Sequence, residues 1–252
     1  MAFENSGGSS HVEISLVVPY FNPGKHFMDH ISAVVLLLRH SGLVFELIAV
    51  NDGSTDGSFE ALSDFREPEI VMLNHKTNQG KGESLRNGFR HANGAWIGFI
   101  DADGDLPAYQ LQRYLDVVTK QTGDNPDMIL ASKMLEESHV QASLIRKMSS
   151  YFYHFLVKML FKVKVRDTQT GLKFFKREVV EKVLENTVET GFVFDLEFIV
   201  LAIGEGYSNI LELPAVISKR HSSTISLKSV FSIFSDTLSL KMRLRNNSHS
   251  KH

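Results

Sequence analysis

One short segment of the sequence contains alternating acidic residues that could do chemistry. Residues 98–107 read GFIDADGDLP, so Asp101, Asp103 and Asp105 follow an apolar run at every second position. Carboxylates that alternate on a turn favour a divalent cation, because a hard ion needs several oxygen ligands from one short segment. Three classes of protein contain such a pattern, and the residues around the acids distinguish them.

Two of these classes fit the segment poorly. An EF-hand calcium loop needs Gly at its sixth position and Glu at its twelfth. Leu106 and Gln112 stand there, which excludes an EF-hand. The segment is also similar to the D-x-D-G-T motif of haloacid dehalogenase phosphatases, but Asp105 replaces the Thr and strand-like segments precede it. The third class, the metal-binding D-x-D of nucleotide-sugar transferases, is compatible with the rest of the chain.

Composition limits the type of protein further. The chain has 252 residues, 43% hydrophobic content and a formal net charge of −2, which fits a single α/β domain and argues against a nucleic-acid partner. The absence of Cys excludes disulfides and a cysteine nucleophile, and it permits a cytoplasmic location. No window contains the roughly 18–20 uninterrupted apolar residues of a membrane-spanning helix. We therefore expect a protein that does not cross a bilayer by itself.

The elements that must position the acids follow from the hydrophobic pattern. Short apolar runs bounded by turn residues predict strands, which fall at residues 13–22, 45–50, 69–75, 95–100 and 127–134. Amphipathic segments between them predict helices, which fall at residues 27–40, 59–65, 81–91 and 109–119. Strands that alternate with helices at this spacing predict βα units and a mostly parallel sheet.

The second half of the chain has a less regular pattern. We predict a long helix over 143–162, a strand-turn-strand segment over 164–177, a buried helix within 191–207 and a strand at 210–218. For the domain organisation we expect a disordered lead over 1–11, one α/β domain over 12–225, an amphipathic helix over 226–245 and a disordered tail over 246–252.

Polar residues recur where the predicted strands end. Asn22, Asp52, the loop 77–82 and the acids 101–105 all stand at the carboxyl ends of strands. Ligands of open parallel sheets bind beyond these ends, so we expect one crevice lined by these residues. A dinucleotide or P-loop site is excluded, because no G-x-G-x-x-G occurs and NQGKGES lacks the P-loop spacing.

Several segments follow the motif order of the family 2 glycosyltransferases. They read SLVVPYFNPG, ELIAVNDGSTDGS, NQGKGESLRNGF, GFIDADGDLP and DTQTGLKFFKREVVEKVL. The chain therefore resembles this family, and within it the polyprenyl-phosphate (dolichyl-phosphate) hexose synthases. The resemblance implies the GT-A fold, a mostly parallel sheet flanked by helices, with amphipathic interfacial helices. It also implies inverting transfer of a hexose from a nucleoside diphosphate sugar to a lipid phosphate.

The resemblance implies roles for residues on the donor side. Pro19 would shape the first loop around the nucleoside, and Asn22 would line the same site. Asp52 would contact the base or ribose, although Asn51 replaces the acid that the family has before it. Lys81, placed between two glycines, would approach the diphosphate. A turn that only caps a helix and a solvated surface Lys are the simpler readings of these segments.

The resemblance also implies a bound Mg²⁺ or Mn²⁺. Asp103 would ligate the metal through the phosphates of the donor, with Asp101 and Asp105 as further ligands. Family members often have Gln where Asp105 stands, so the acid would affect which metal is preferred. We expect Asp103, Lys81 and Arg146 to be the catalytic residues.

The acceptor side is predicted from three further positions. Gln169 belongs to a segment that matches the D-T-Q turn of the family, and Arg220 lies in a basic run where relatives have a covering loop. Arg146 opens the helix over 143–162, where relatives place a phosphate-binding Arg, and Lys147 is the competing cation. The DTQTG form resembles the dolichyl-phosphate glucosyltransferases, which favours a UDP-sugar over GDP-mannose.

The nature of the acceptor decides whether a base is needed. A phosphate monoester has a second pKa of about 6, so it is largely a dianionic nucleophile at neutral pH. A sugar hydroxyl would instead need a carboxylate to remove its proton. An alternative is therefore a family 2 transferase with a soluble or glycan acceptor, in which Asp195 or Glu197 acts as the base.

Two amphipathic segments suggest a membrane surface as a partner. His154, Lys158 and Lys162 recur every four residues in the helix over 143–162, beside apolar residues. The helix over 226–245 has the same design, and the simpler alternative is that both apolar faces pack on the core. We expect peripheral binding to the cytoplasmic face of a membrane, with a membrane-anchoring partner protein or a homo-oligomer as further expectations.

Overall fold

The architecture is that of an α/β domain with two additional helices. The computed structural model describes residues 11–120, 126–140, 144–217 and 227–249. Within these ranges, no helix combines the length and the apolar character that crossing a bilayer requires.

A seven-stranded sheet forms the centre of the molecule, in the order β3-β2-β1-β4-β7-β5-β8. Its strands are β1 (Ile14–Tyr20), β2 (Phe45–Asp52), β3 (Ile70–His75), β4 (Trp96–Ile100), β5 (Met128–Ser132), β7 (Leu172–Lys176) and β8 (Ile210–Pro214). A second sheet pairs β6 (His139–Val140) with β9 (Val216–Ile217).

The pairing confirms the predicted α/β class with a mostly parallel sheet. Strands β1, β2, β3 and β4 pair in parallel, as do β5 and β8. Strand β7 runs antiparallel to both of its neighbours, β4 and β5. The predicted strand-turn-strand over 164–177 contains only its second strand, because Asp167 holds residues 167–170 in a turn through its side chain.

Helices cover both faces of the sheet. They are α1 (Phe27–Ser41), α2 (Ser58–Asp64), α3 (Lys81–His91), α4 (Leu111–Thr119), α5 (Leu144–Phe161), α6 (Arg177–Val183), α7 (Phe194–Gly204) and α8 (Leu227–His249). Apolar residues of α1 and α4 pack on one face, and those of α3, α6 and α7 pack on the other. Because both faces are covered, the central strands read as continuous apolar runs rather than alternating ones.

Helices α5 and α8 form a separate layer against α7. Tyr153 and Val157 of α5 share a small apolar core with Leu196 of α7 and Leu240 of α8. The Tyr153 hydroxyl also lies 3.1 Å from the Thr237 hydroxyl. Helix α8 continues to His249, past the end predicted at residue 245.

Candidate active site

A cleft of about 920 Å³ lies at the carboxyl ends of β1, β2 and β4. Parallel strands end at the same edge of a sheet, which is why residues distant in sequence meet there. The structure brings a set of the predicted donor-side residues together in its wall: Pro19, Asn22, Asp52, Lys81, Asp101 and Asp103. Other lining residues, including Gly191 and Phe192, come from the segment before α7.

Asp52 closes β2 and anchors the loop that leads to Lys81. Its carboxylate accepts the backbone N–H groups of Gln79 and Gly80, each at 2.8 Å, and is nearly fully buried. His75 Nδ1 lies 2.9 Å from the same carboxylate and donates to it, and His75 Nε2 then accepts from Asn87 at 3.0 Å. Asp52 therefore fixes the shape of the loop as well as bordering the cleft.

Gly80 and Gly82, on either side of Lys81, allow the backbone of another segment of the protein to pack closely. A Cβ at Gly80 would lie 2.3 Å from the carbonyl oxygen of Thr190, and one at Gly82 would lie 2.6 Å from that of Glu189. Gly82 N–H donates to the Thr190 carbonyl at 2.7 Å. The segment 189–190 thus packs directly on the start of α3, and no residue with a side chain would fit at either glycine.

Lys81 is held between two carboxylates at the base of the cleft. Its Nζ lies 2.7 Å from Asp101 Oδ1, 3.5 Å from Asp195 Oδ2 and 5.0 Å from the centroid of the Phe99 ring. Burial lowers the pKa of Lys81, but the charges of Asp101 and Asp195 outweigh burial and raise its pKa overall. Lys81 is therefore a fixed cation at neutral pH.

Lys173 is another lysine near this site, and it is buried and belongs to none of the predicted site residues. Its side chain has no exposed surface, and its Nζ donates to the Thr170 carbonyl at 2.6 Å and to Asp195 Oδ2 at 3.3 Å. Burial lowers the pKa of Lys173, and the Asp195 carboxylate opposes that effect. A lysine inside the apolar strand LKFFK was the available signal, because an interior strand position needs a partner for a charge.

Asp103 and Asp101 differ in their surroundings. Asp103 is exposed in the cleft wall, and its Oδ1 accepts the N–H of Asp105 at 3.0 Å. Asp101 is directed to Lys81 instead, and Asp105 is not among the described residues that line the cleft.

The carboxylates of Asp101 and Asp103 fit a metal ion that the protein binds with only some of its ligands. In the part of the chain that the structure describes, no group of three or more His, Cys, Asp or Glu side chains converges as a metal cage. Mg²⁺ is commonly bound by one or two carboxylates together with substrate phosphates and water. An exposed Asp103 beside Asp101 suits that mode of binding.

Asp195 and Glu197 are buried in α7 and are used inside the protein. Glu197 accepts the backbone N–H groups of Val188 and Glu189 at 3.0 and 2.8 Å, and it also binds the Arg243 guanidinium of α8. Asp195 is 3% exposed and faces the two buried lysines. These contacts do not favour either carboxylate as a general base for a soluble acceptor.

Of the three predicted acceptor-side residues, Gln169 is the one whose side chain the structure describes. Gln169 lines a small pocket beside Lys133 and Arg166, not the cleft at the strand ends. Arg146 belongs to the first turn of α5, and its side chain is outside the part that the structure describes. Arg220 falls outside the described residues altogether.

The sequence matches a known family over most of its length. The profile of Glycosyl transferase family 2 matches residues 15–184. A dolichyl-phosphate beta-glucosyltransferase of Saccharomyces cerevisiae is 28% identical over 208 residues, which cover 75% of this chain and 62% of that protein. The human enzyme of the same name is 28% identical over 209 residues, covering 75% and 63%. The chain thus spans about three fifths of the length of these relatives.

Solved structures show the same architecture. Glucosyl-3-phosphoglycerate synthase from Mycobacterium tuberculosis, in complex with Mn²⁺, uridine diphosphate and phosphoglyceric acid, has a TM-score of 0.69 at 17% identity, covering 91% of this chain and 78% of its own. TarS residues 1–349 of S. aureus has a TM-score of 0.53 at 15% identity, covering 82% and 58%. The strand order, the cleft and the profile match lead to one conclusion: the chain belongs to Glycosyl transferase family 2 and has the GT-A fold.

Proposed function

We propose that the chain is an inverting, metal-dependent glycosyltransferase that moves a hexose from a UDP-sugar to a polyprenyl or dolichyl phosphate. The observation that carries this proposal is the cleft in which Lys81, as a fixed cation, lies beside the exposed carboxylate of Asp103. The names of the relatives, dolichyl-phosphate beta-glucosyltransferases, support glucose as the hexose and UDP-glucose as the donor.

Each side of the donor meets a different group in this proposal. The nucleoside lies against β1 and β2, where Pro19, Asn22 and Asp52 border the cleft. The diphosphate lies near Lys81, which stays charged at neutral pH because its carboxylate neighbours raise its pKa more than burial lowers it. Asp101 keeps Lys81 in place, at 2.7 Å.

The departing diphosphate is negatively charged and is repelled by Asp101 and Asp103, so its charge must be neutralised. A bound Mg²⁺ or Mn²⁺ would supply Lewis-acid stabilisation of this charge. Asp103 would hold the ion from the cleft wall, with Asp101 next to it. Lys81 stabilises the leaving group by a preorganised charge, which needs no reorganisation at the moment of reaction.

The acceptor needs no protein base in this mechanism. A phosphate monoester is already largely deprotonated at neutral pH, because its second pKa is about 6. The protein only has to orient it and shield it from the carboxylates, and we assign Arg146 at the start of α5 to this task. A guanidinium binds two phosphate oxygens in a bidentate manner.

A lipid acceptor also requires contact with a membrane, and α5 and α8 present a suitable surface. Large apolar side chains of both helices are exposed to solvent: Tyr151, Phe152, Phe155, Met159, Leu238 and Met242. An interfacial helix inserts such side chains among lipid headgroups. We therefore propose peripheral association with the cytoplasmic face of a membrane that contains the acceptor.

A donor and acceptor panel tests the proposal. UDP-glucose, UDP-N-acetylglucosamine and GDP-mannose would each be incubated with dolichyl phosphate in detergent or with phosphoglyceric acid, with Mg²⁺ or Mn²⁺ and with a chelator. We expect transfer from UDP-glucose to the lipid only, and only with the metal. Transfer to phosphoglyceric acid alone would replace the lipid acceptor by a soluble one.

The role of Arg146 is tested within the same assay. Arg146→Ala should raise the KM for dolichyl phosphate by about 10-fold or more, since a bidentate charged contact is lost, and leave the KM for the donor unchanged. Lys147→Ala is the matched control at the next position of α5. Equal effects of both variants, or an effect of Lys147→Ala alone, would remove Arg146 from the acceptor site.

A further inference from the structure

A second cavity, of about 490 Å³, lies at the end of α5 and shares no lining residue with the donor cleft. It is lined by one histidine, several basic residues and two valines: His154, Lys158, Lys162, Lys164, Arg166, Val163 and Val165. Its lining contains no acidic residue. We call this cavity the basic pocket.

Ion pairing within the described residues does not balance the charge of the basic pocket. Other lysines lie within 4 Å of a carboxylate, as Lys176 does with Asp127 at 3.2 Å, but no salt bridge between described residues involves the side chains of the basic pocket. The nearby Glu212 accepts the backbone N–H groups of Arg166 and Asp167 and also interacts electrostatically with the Arg166 side chain, so it balances part of the charge of one of the basic residues. The C-terminus of α5 supplies only about half a negative charge. A positive excess remains, which favours an anionic ligand.

The backbone conformation of Lys162 also favours a ligand in the basic pocket. Lys162 follows the last residue of α5 with φ of 55°, in the left-handed region, and its N–H donates to the Lys158 carbonyl at 3.0 Å. Gly or Asn usually occupies this position after a helix, since a Cβ is unfavourable there. A lysine kept in a disfavoured conformation at the lining of a cavity is a signal of function.

The exposed apolar side chains of α5 favour an anion that belongs to a lipid. Phe155 and Met159 are 62% and 58% exposed, and each follows the basic residue His154 or Lys158 by one position. Val157 is buried, on the side of α5 opposite to Phe155 and Met159. The basic stripe therefore lies beside an apolar stripe that faces solvent, as in helices that lie in a lipid interface.

We propose that the basic pocket binds the phosphate-bearing headgroup of an anionic phospholipid. The proposal rests on the membrane association given under the proposed function, but not on the transfer reaction. The apolar side chains would enter the bilayer surface while Lys158, Lys162 and Lys164 bind the headgroup phosphate. The basic pocket shares no lining residue with the cleft that contains Lys81, so a headgroup and the donor would bind together.

A vesicle-binding experiment with the full chain tests the basic pocket. Three vesicle types would be used: phosphatidylcholine alone, phosphatidylcholine with phosphatidylserine, and phosphatidylcholine with dolichyl phosphate. The pocket variant is Lys158→Glu with Lys164→Glu. The matched control is Lys120→Glu with Lys182→Glu, which makes the same change in net charge at exposed lysines outside the basic pocket.

We expect the wild type and the control to bind vesicles that contain phosphatidylserine. Each basic residue at such a surface contributes about a fivefold gain in partitioning, so the pocket variant should bind at least about 25-fold more weakly. Binding of UDP and transfer to dolichyl phosphate in detergent should stay unchanged in both variants, which also shows that they fold.

Four outcomes would overturn the proposal. Equal losses in both variants would mean that only net charge matters. Unchanged binding of the pocket variant, or no binding of the wild type to phosphatidylserine, would mean that the headgroup is not bound there. A loss confined to vesicles with dolichyl phosphate would make the basic pocket part of the acceptor site. A wild type that binds phosphatidylserine through the pocket but transfers no sugar would contradict the proposed function alone.

Discussion

Arg243 of α8 binds Glu197 of α7, and through it reaches the segment that packs on the donor cleft. The guanidinium contacts Glu197 and also Glu189, the latter at 3.0 Å. Glu197 has no exposed surface and holds the backbone N–H groups of Val188 and Glu189. The next residue, Thr190, accepts the N–H of Gly82 beside Lys81. A continuous set of contacts therefore joins α8 to the cleft that contains Lys81.

Arg243→Ala should destabilise the protein and weaken donor binding. The change leaves the buried Glu197 carboxylate without its cation, which costs about 2–3 kcal/mol of unfolding free energy. The segment 188–190 would also lose support, so the affinity for UDP should fall. Urea unfolding and calorimetry measure the two effects. Arg243→Lys, which keeps the charge but not the fork of donors, should be intermediate; a wild-type result for Arg243→Ala would show that this contact supports neither property.

Asp103→Ala should abolish most of the transfer activity without unfolding the protein. In the proposed mechanism Asp103 holds the metal, and because Asp103 is exposed, its truncation removes little packing. We expect turnover to fall at least about 100-fold, because the metal contributes several kcal/mol to charge stabilisation. The measurement is the transfer rate at saturating Mn²⁺, with thermal melting as the test of folding. Asp64→Ala, at an exposed acid of α2, is the control, and near wild-type transfer by Asp103→Ala would reject the D-x-D assignment.

Asp52→Asn should weaken UDP binding by loosening the loop 79–80. The amide cannot accept from Gln79 N–H, Gly80 N–H and His75 together, as the carboxylate does. The loss of one or two such bonds at about 1 kcal/mol each predicts an affinity about 10-fold lower. Calorimetry measures the affinity, and faster hydrogen exchange at Gln79 and Gly80 would show the cause. If the affinity falls while exchange at these amides is unchanged, Asp52 acts by direct contact with the nucleoside instead.

Lys81→Met should reduce both donor binding and turnover. Met has nearly the same length, but it removes the charge that lies 2.7 Å from Asp101. The diphosphate would then meet Asp101 and Asp103 without the charge of Lys81, so we expect turnover about 100-fold lower. Steady-state kinetics with UDP-glucose gives the effect. Lys120→Met, at an exposed lysine after α4, is the control, and equal kinetics for the two variants would place Lys81 outside the reaction.

Asp167→Asn should show a pH-dependent loss of stability. Burial raises the pKa of Asp167, but the Lys133 charge and hydrogen bonds from Thr170 and from backbone N–H groups lower it overall. The unfolded chain has its Asp pKa at about 3.9, so it binds the proton first as the pH falls. The contribution of Asp167 to stability is therefore complete above about pH 4 and is lost as the pH falls through the folded pKa.

Urea unfolding at pH 7 and pH 3 measures this dependence. Asp167→Asn should cost about 1–3 kcal/mol at pH 7, and its difference from the wild type should shrink at pH 3. Asp116→Asn, at an exposed acid of α4, should show little change at either pH. A difference of the same size at both values would mean that the Asp167 charge does not stabilise the turn.

The sequence alone determined the fold class and the position of the cleft. Alternation of apolar strands with amphipathic helices is a local pattern, and parallel strands must place their carboxyl ends on one edge. Asp52, Lys81 and Asp103 therefore had to share a crevice once the strands were assigned, and they do line one cleft. The motif order led to the family in the same way, because each motif is read from adjacent residues.

Only the tertiary structure decided which charges meet. Lys173 and Asp195 are 22 residues apart, and Arg243 and Glu197 are 46 residues apart. A hydrophobic pattern shows which face of an element is buried, but it does not show which side chain of another element will oppose it. The glycines at 80 and 82 illustrate the same limit. In the sequence they flank Lys81, which is expected to approach the diphosphate, and the tertiary structure shows that the backbone of residues 189–190 also packs against them.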